Sequence, residues 1–219
     1  MNGYECWEIA GHTLEYLDDD HVYICDGIVL KSITECLRIK FGNKYRAVDR
    51  LTLQTAAEKG TETHRAIEEW CKEGIESELP ELRNFKFLKN VYKFDVIDNE
   101  VPVILFDEGE PILAGRLDLV IQMTDDGKTM LGLGDIKRTS SLDREYLGYQ
   151  LNLYRIAYQQ CYGKKVEFLR GLHLRENTRK YVVIPINEPL AWGLIRDWQE
   201  AERFNQEIDE RRRANDKSR

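Results

Sequence analysis

The chain lacks any apolar run approaching the roughly 18 residues that span a bilayer, so no membrane segment is expected. Its five cysteines, Cys6, Cys25, Cys36, Cys71 and Cys161, are odd in number, scattered, and free of any C-x-x-C pair. That pattern argues against a disulfide framework and against zinc, and fits reduced thiols in a cytoplasm. The opening MNGYECWEIAG has neither a basic stretch nor an apolar core, so a secretory signal is not expected. Internal repeats and low-complexity linkers are missing too. There is no excess of positive charge: the net charge is −7. That balance is unfavourable for a nucleic-acid partner, because phosphate contacts supply much of the affinity. Charge is unevenly spread, however. Residues 137–180 hold ten Lys/Arg against four acids, whereas residues 1–40 hold three against eight, so a local basic face is expected.

What is present fits one domain over 1–219, long enough to bury a sizeable core. A C-terminal helix is expected over 189–212 and a frayed tail over 213–219. Residues 13–31 read as a two-stranded entry, with Asp18-Asp19-Asp20 as a solvated turn because nothing at ligand spacing accompanies it. Ser32–Phe41 reads as a short helix capped by Ser32. From Leu51 the pattern is helical, with Gly60 expected to break or bend it. Pro80 suits the first turn of a helix striped by Leu82, Phe85, Leu88 and Val91. Strands Phe94–Ile97 and Val101–Phe106 are expected on either side of an Asp98-Asn99 turn. Thr139-Ser140-Ser141 offers N-caps for a helix from Leu142 to Tyr162. Strands Val166–Arg175 and Lys180–Ile186 follow. Asn187-Glu188-Pro189 then opens a final helix. Its stripe of Leu190, Leu194, Ile195, Trp198, Ala201, Phe204 and Ile208 packs on the sheet or on a second subunit. Arg211-Arg212-Arg213 is either a nucleic-acid contact or a solvated terminus.

The chemistry concentrates in Ala114–Lys137. Two apolar runs flank Asp126-Gly127, the strongest short-range signal for a hairpin. With a two-residue loop, Asp125 pairs with Lys128, Asp118 faces Asp135, and Arg116 faces Lys137. Alternation puts Asp118, Asp135 and Lys137 on one face and Leu117, Leu119, Ile121, Met123 and Ile136 on the other, the core face. Opposed like charges destabilise a sheet. A hard divalent cation between the two aspartates turns that repulsion into attraction. Upstream, His64, Ile67, Glu68 and Cys71 share a helix face. His64 there is either a satisfied core residue or a ligand. Glu68, one turn on, either orients His64 by a hydrogen bond or is solvated.

Asp118 followed, after a hairpin, by Asp135-Ile136-Lys137 resembles the PD-(D/E)XK nuclease signature. Gly60-x-x-x-His64, Gly115-Arg116-Leu117-Asp118 and Gln150-Leu151-x-x-Tyr154 complete a four-part set. That set resembles the RecB-like branch, including phage-type exonucleases, over residues 20–185. The resemblance implies an α/β fold, a restriction-endonuclease-like mixed sheet flanked by helices. It implies one or two Mg²⁺ or Mn²⁺ ions held by Asp118, Asp135 and the Ile136 backbone carbonyl, with His64 completing or supporting the site. Glu100 is either a further metal-side acid or a turn residue. Lys137 would orient or deprotonate water, its pKa lowered by burial and metal. Gln150 and Tyr154 either lean toward the site and the bound strand or are core. Arg138, Thr139 and Ser140 stand near helix N–H groups able to hold a phosphate. The Fe–S cluster of some relatives is not expected, since the cysteines are not gathered near the C-terminus. The implied activity is DNA phosphodiester hydrolysis, favouring an exonuclease that acts from duplex ends in recombination or repair. Its setting would be a bacterial or phage-infected cytoplasm, with a homo-oligomer or a recombination partner protein allowed. A structure-specific endonuclease and a non-catalytic nucleic-acid-binding module are the alternatives.

Overall fold

The computed structural model describes residues 3–18, 21–42 and 49–216. Asp19 and Asp20 of the acidic turn, and the last three residues of the tail, lie outside the described residues. The order is β1 (Tyr4–Ile9), β2 (His12–Leu17), β3 (Val22–Cys25), β4 (Ile28–Ser32), α1 (Ile33–Cys36), α2 (Arg38–Phe41) and α3 (Arg50–Glu73). Then come α4 (Pro80–Tyr92), β5 (Phe94–Asp107), β6 (Glu110–Asp125), β7 (Lys128–Lys137), α5 (Arg144–Tyr162), β8 (Phe168–Arg175), β9 (Thr178–Ile184) and α6 (Glu188–Asp216). This is an α/β protein with a mixed sheet of nine strands flanked by helices.

The strands run in the order β1-β2-β3-β4-β6-β7-β8-β9, with β5 also paired to β6. The N-terminal meander joins through a short parallel contact, Lys31 to Leu113 and Ser32 to Ala114. The β5–β6–β7 meander is antiparallel, and β8 returns parallel to β7 after α5. Helix α5 and the start of α6 cover one face, packing Leu147, Leu151, Tyr154, Leu194 and Ile195 against Leu117, Val120 and Leu133. Helices α3 and α4 cover the other, packing Ile67, Leu82, Phe85 and Leu88 against Leu119, Ile121, Ile136 and Leu172. Burying one such side chain contributes about 1.5–3 kcal/mol, so the central hairpin is clamped from both sides. A third cluster under the meander joins Leu14, Tyr16, Tyr23, Cys25 and Leu30 to Ile104 and Ala114.

Several elements differ from the sequence reading. The entry has four strands, not two: the polar-rich YECWEI pairs along β2 as β1, and Ile28–Ser32 pairs along β3 as β4 after the Asp26-Gly27 turn. Ser32 forms a capping box with Glu35, but the expected helix divides at Leu37 into α1 and α2. Gly60 lies inside a continuous α3. A helical glycine costs only about 1 kcal/mol relative to alanine, and 24 helical residues absorb that. The expected Asp98-Asn99 turn is a bulge in a single 14-residue β5, the register shifting between Val96 and Asp98. Asp143, rather than Thr139–Ser141, caps α5 by accepting the Tyr146 N–H at 3.0 Å. Val91 is exposed, not core. Helix α6 runs on to Asp216, past the expected end at 212, and Phe204 on its outer half is exposed.

Candidate metal centre

The hairpin register is the one its turn dictates, from Asp125 opposite Lys128 to Leu119 opposite Gly134. One step further the ladder gives way to side-chain chemistry, and Asp118 Oδ2 accepts the Ile136 N–H at 2.6 Å. Across β6, the neighbouring β5 carries Glu100 at φ 51°, a left-handed conformation. The break has a visible consequence. Leu117 and Leu119, expected on one face, belong to different clusters, on opposite sides of the sheet. The expected pairing of Arg116 with Lys137 lies beyond the end of the β6–β7 ladder, and on its other side Arg116 pairs with Pro102 on β5.

Three side chains converge where the ladder opens. His64, Glu100 and Asp118 each place a donor atom within 4.8 Å of the others. His64 Nδ1 lies 3.5 Å from Glu100 Oε1 and 3.8 Å from Asp118 Oδ1, and Nε2 lies 3.2 Å from the Ile136 carbonyl oxygen. A carbonyl oxygen only accepts, so Nε2 bears the proton and Nδ1 is the nitrogen aimed at the carboxylates. Behind them sits Asp135, 1% exposed, with Lys137 Nζ 2.5 Å from its Oδ2. Neither Asp135 oxygen receives an aligned hydrogen bond.

The charges are mutually dependent. Burial works against the His64 imidazolium, but Asp118 and Glu100 outweigh it and push the ring up to about 9. Burial raises Asp135 to about 6, with Lys137 pulling down and Asp118 pushing up. Asp118 is also raised by burial, partly offset by His64 and Lys137. Burial lowers the Lys137 ammonium, yet Asp135 and Asp118 more than compensate, so its pKa rises. Without metal, then, Lys137 shifts up rather than down, because two nearby carboxylates dominate desolvation; the expected downward shift belongs to a metal-loaded site.

The donor set suits a hard divalent cation. Two carboxylates and one imidazole fit Mn²⁺ or Mg²⁺, the imidazole favouring Mn²⁺. The Ile136 carbonyl oxygen, expected among the ligands, instead accepts from Nε2 on the other side of the ring from Nδ1. The tight cluster does not include Asp135. The cation expected between Asp118 and Asp135 is better matched by the His64–Glu100–Asp118 side, with Lys137 already balancing Asp135. A cavity of about 370 Å³ opens there, lined by His64 and Glu100 with Tyr16, His21, Arg65 and Arg116. Sequence reasoning missed Arg116 as a site residue. Its Nε lies 3.4 Å from Glu100 Oε2 and its Nη1 2.6 Å from Glu5 Oε1, so it steers Glu100. Its place two residues before Asp118 on one strand was the available signal.

The remaining candidates fall as follows. Glu68 lines the same cavity but pairs with Lys72 at 2.7 Å, and no bond joins it to His64. Gln150 is buried with an unpartnered Oε1. Tyr154, 4% exposed, packs under Gly115, where a Cβ would lie 3.0 Å from its Cε1. Arg138 does not stand open to phosphate; its Nε is 2.8 Å from the buried Glu81 Oε1. Thr139 donates its hydroxyl to the Ser141 carbonyl oxygen at 2.8 Å, and Ser140 is exposed. A second group, His12, Cys25 and Asp26, also lies close together. Both Asp26 oxygens there are engaged by the Thr13 N–H and by His12.

Among the described residues no helix is long and apolar enough to cross a membrane. No family model matches the chain, and no curated protein matches it. Among solved structures, one titled "Crystal structure of SSO0001" aligns with a TM-score of 0.42 and 16% identity, covering 78% of this chain and 75% of that one.

Proposed function

We propose that the chain is a cytoplasmic, divalent-metal-dependent nuclease that hydrolyses DNA phosphodiesters, acting from duplex ends in recombination or repair. The observation that carries this reading is the convergence of His64, Glu100 and Asp118 donors within 4.8 Å, beside a buried Asp135–Lys137 pair. A bound Mn²⁺ or Mg²⁺ would polarise a phosphodiester oxygen and make water a better nucleophile. Everything else falls to the chain. Glu100 and Asp118 supply the negative charge, with Glu100 steered by Arg116 and Asp118 anchored on the Ile136 N–H. His64 is held by the Ile136 carbonyl so that Nδ1 points at the same spot. Lys137, paired with Asp135, keeps its ammonium beside the cluster. There it stabilises negative charge developing on phosphate and orients the attacking water. Asp135 holds that ammonium in place. Gln150 and Tyr154 are both buried, so they would act on the bound strand only from beneath the surface.

The test uses end-labelled linear duplex and covalently closed circles with Mn²⁺, Mg²⁺ or EDTA. Linear DNA should be degraded in the presence of either metal while closed circles survive. Asp118→Asn and Glu100→Gln should lose cleavage and bind Mn²⁺ at least about 10- to 100-fold more weakly by calorimetry. Nicking of closed circles favours an endonuclease. Unchanged Mn²⁺ affinity in both variants removes the metal centre.

A further inference from the structure

One strand over from Lys137, a second polar cavity of about 310 Å³ lies between the start of α5 and the β8–β9 hairpin. Ser140, Ser141, Arg144, His173, Thr178 and Lys180 line it, with no acid among the lining residues. The nearest acids on α5 are engaged. Asp143 accepts the Tyr146 N–H, and Glu145 pairs with Lys40 at 3.1 Å. The helix start is thus already capped, and attraction for an anion must come from side chains. Arg144 and Lys180 have no carboxylate partner among the described residues, and both belong to the base-rich stretch 137–180.

The buried member of the set points to a ligand. His173 is 3% exposed, and its Nε2 lies 2.7 Å from the Thr139 carbonyl oxygen. Nε2 must therefore donate, which leaves Nδ1, and Nδ1 has no partner. An unmatched buried polar atom costs about 1–3 kcal/mol. A phosphodiester offers only acceptor oxygens, so it removes that cost when Nδ1 also carries a proton and donates it to a phosphoryl oxygen. Position narrows the ligand further. His173 is the strand partner of Lys137 on one side and of Lys180 on the other. Adjacent strands are about 4.8 Å apart, so the cavity adjoins the proposed site of cleavage.

We propose that this cavity binds a phosphate group of the nucleic-acid strand, neighbouring the phosphodiester to be cut. Arg144 and Lys180 supply the charge, the Ser140, Ser141 and Thr178 hydroxyls donate, and His173 sets the depth. The choice of a nucleic-acid phosphate rests on the nuclease reading; the anion chemistry of the cavity does not.

Two measurements on the full chain separate those layers. Inorganic phosphate is titrated into metal-free protein while long-range ¹H–¹⁵N NMR follows the His173 ring. The Nδ1 signal should move saturably, and the double variant Arg144→Gln/Lys180→Gln should weaken the apparent affinity roughly tenfold or more. A short labelled oligonucleotide is then followed by anisotropy in Ca²⁺ over a range of salt. The double variant should bind more weakly, with a log–log salt slope smaller by about one, while its Mn²⁺ affinity is retained. A His173 ring indifferent to phosphate overturns the site. Oligonucleotide binding with the same affinity and slope in the double variant overturns its role while leaving the nuclease reading in place. Failure of the native chain to bind oligonucleotide at all, with phosphate still shifting His173, overturns the strand assignment and the nuclease reading together.

Discussion

Raising the pH of the metal-free protein should destabilise it through His64, and Mn²⁺ should reverse the slope. The folded state holds the His64 proton up to about 9, whereas the ordinary imidazole value is 6.5. Between these values the folded chain binds more protons than the unfolded chain, so stability falls as pH rises. The contribution is complete below pH 6.5 and gone above about 9. Two and a half pH units at roughly 1.36 kcal/mol each come to about 3 kcal/mol. Solvent reaching the 28%-exposed side chain trims that figure. Asp135 adds a loss of the same sign in a lower window, between the ordinary carboxylate value of 3.8 and about 6. The two steps are therefore separable. Urea unfolding in EDTA, at closely spaced pH values across both windows, measures them. Native protein should lose about 2–3 kcal/mol across the upper window, and His64→Gln should be flat there. With saturating Mn²⁺ the native slope should turn positive, because Nδ1 must release its proton to coordinate. Parallel native and His64→Gln curves in EDTA would refute the electrostatic account of the cluster.

Two further outcomes follow from packing and charge. Lys137→Met strands the buried Asp135 carboxylate, so it should cost about 3–5 kcal/mol at pH 8 and distinctly less at pH 5, below the Asp135 value of about 6. Equal costs at the two pH values, read from urea midpoints, would show that Lys137 does not neutralise Asp135. Gly132→Ala puts a Cβ 2.2 Å from Phe168 Cε2, so the ring must shift and stability should fall by about 1–3 kcal/mol. An unchanged circular-dichroism melt would contradict the tight approach of β7 to β8.

Much of this architecture is legible in the chain, for physical reasons. Asp-Gly between apolar runs fixes a two-residue turn, and a turn fixes the register of every pair behind it, down to Leu119 and Gly134. Helical periodicity likewise places His64 on the inner face of α3. What periodicity cannot show is where a ladder stops. The alternation that correctly orders Leu119, Ile121 and Met123 fails at Leu117, because Asp118 exchanges main-chain pairing for the Ile136 N–H. Glu100 was equally ambiguous, since Asp-Asn before it carries the same signal for a turn as for a bulge. Glu68 and Arg138 show the opposite failure. Each is the right residue type near the right place, but Lys72, one turn on along the same helix, satisfies Glu68, and Glu81 satisfies Arg138. The first partner is readable from i,i+4 spacing; the second is invisible until α4 docks.

The extra residue in β5 has a consequence for parity. Phe94 at one end of the strand must point into the core, and Glu100 six positions on must point into the site. Upstream of Ile97 the strand keeps one count against β6, and downstream it keeps another. Because side chains alternate, a slip of one residue exchanges inside for outside. Phe94 and Glu100 are six positions apart, whereas Met123 and Asp118 on β6 are five apart, and Ile97 takes up the difference. Deleting Ile97 would bring the two counts together and leave both flanks opposite the same β6 residues, so the deletion should flatten the strand without shifting its register. Its side chain is half exposed, so substitution should cost little as well.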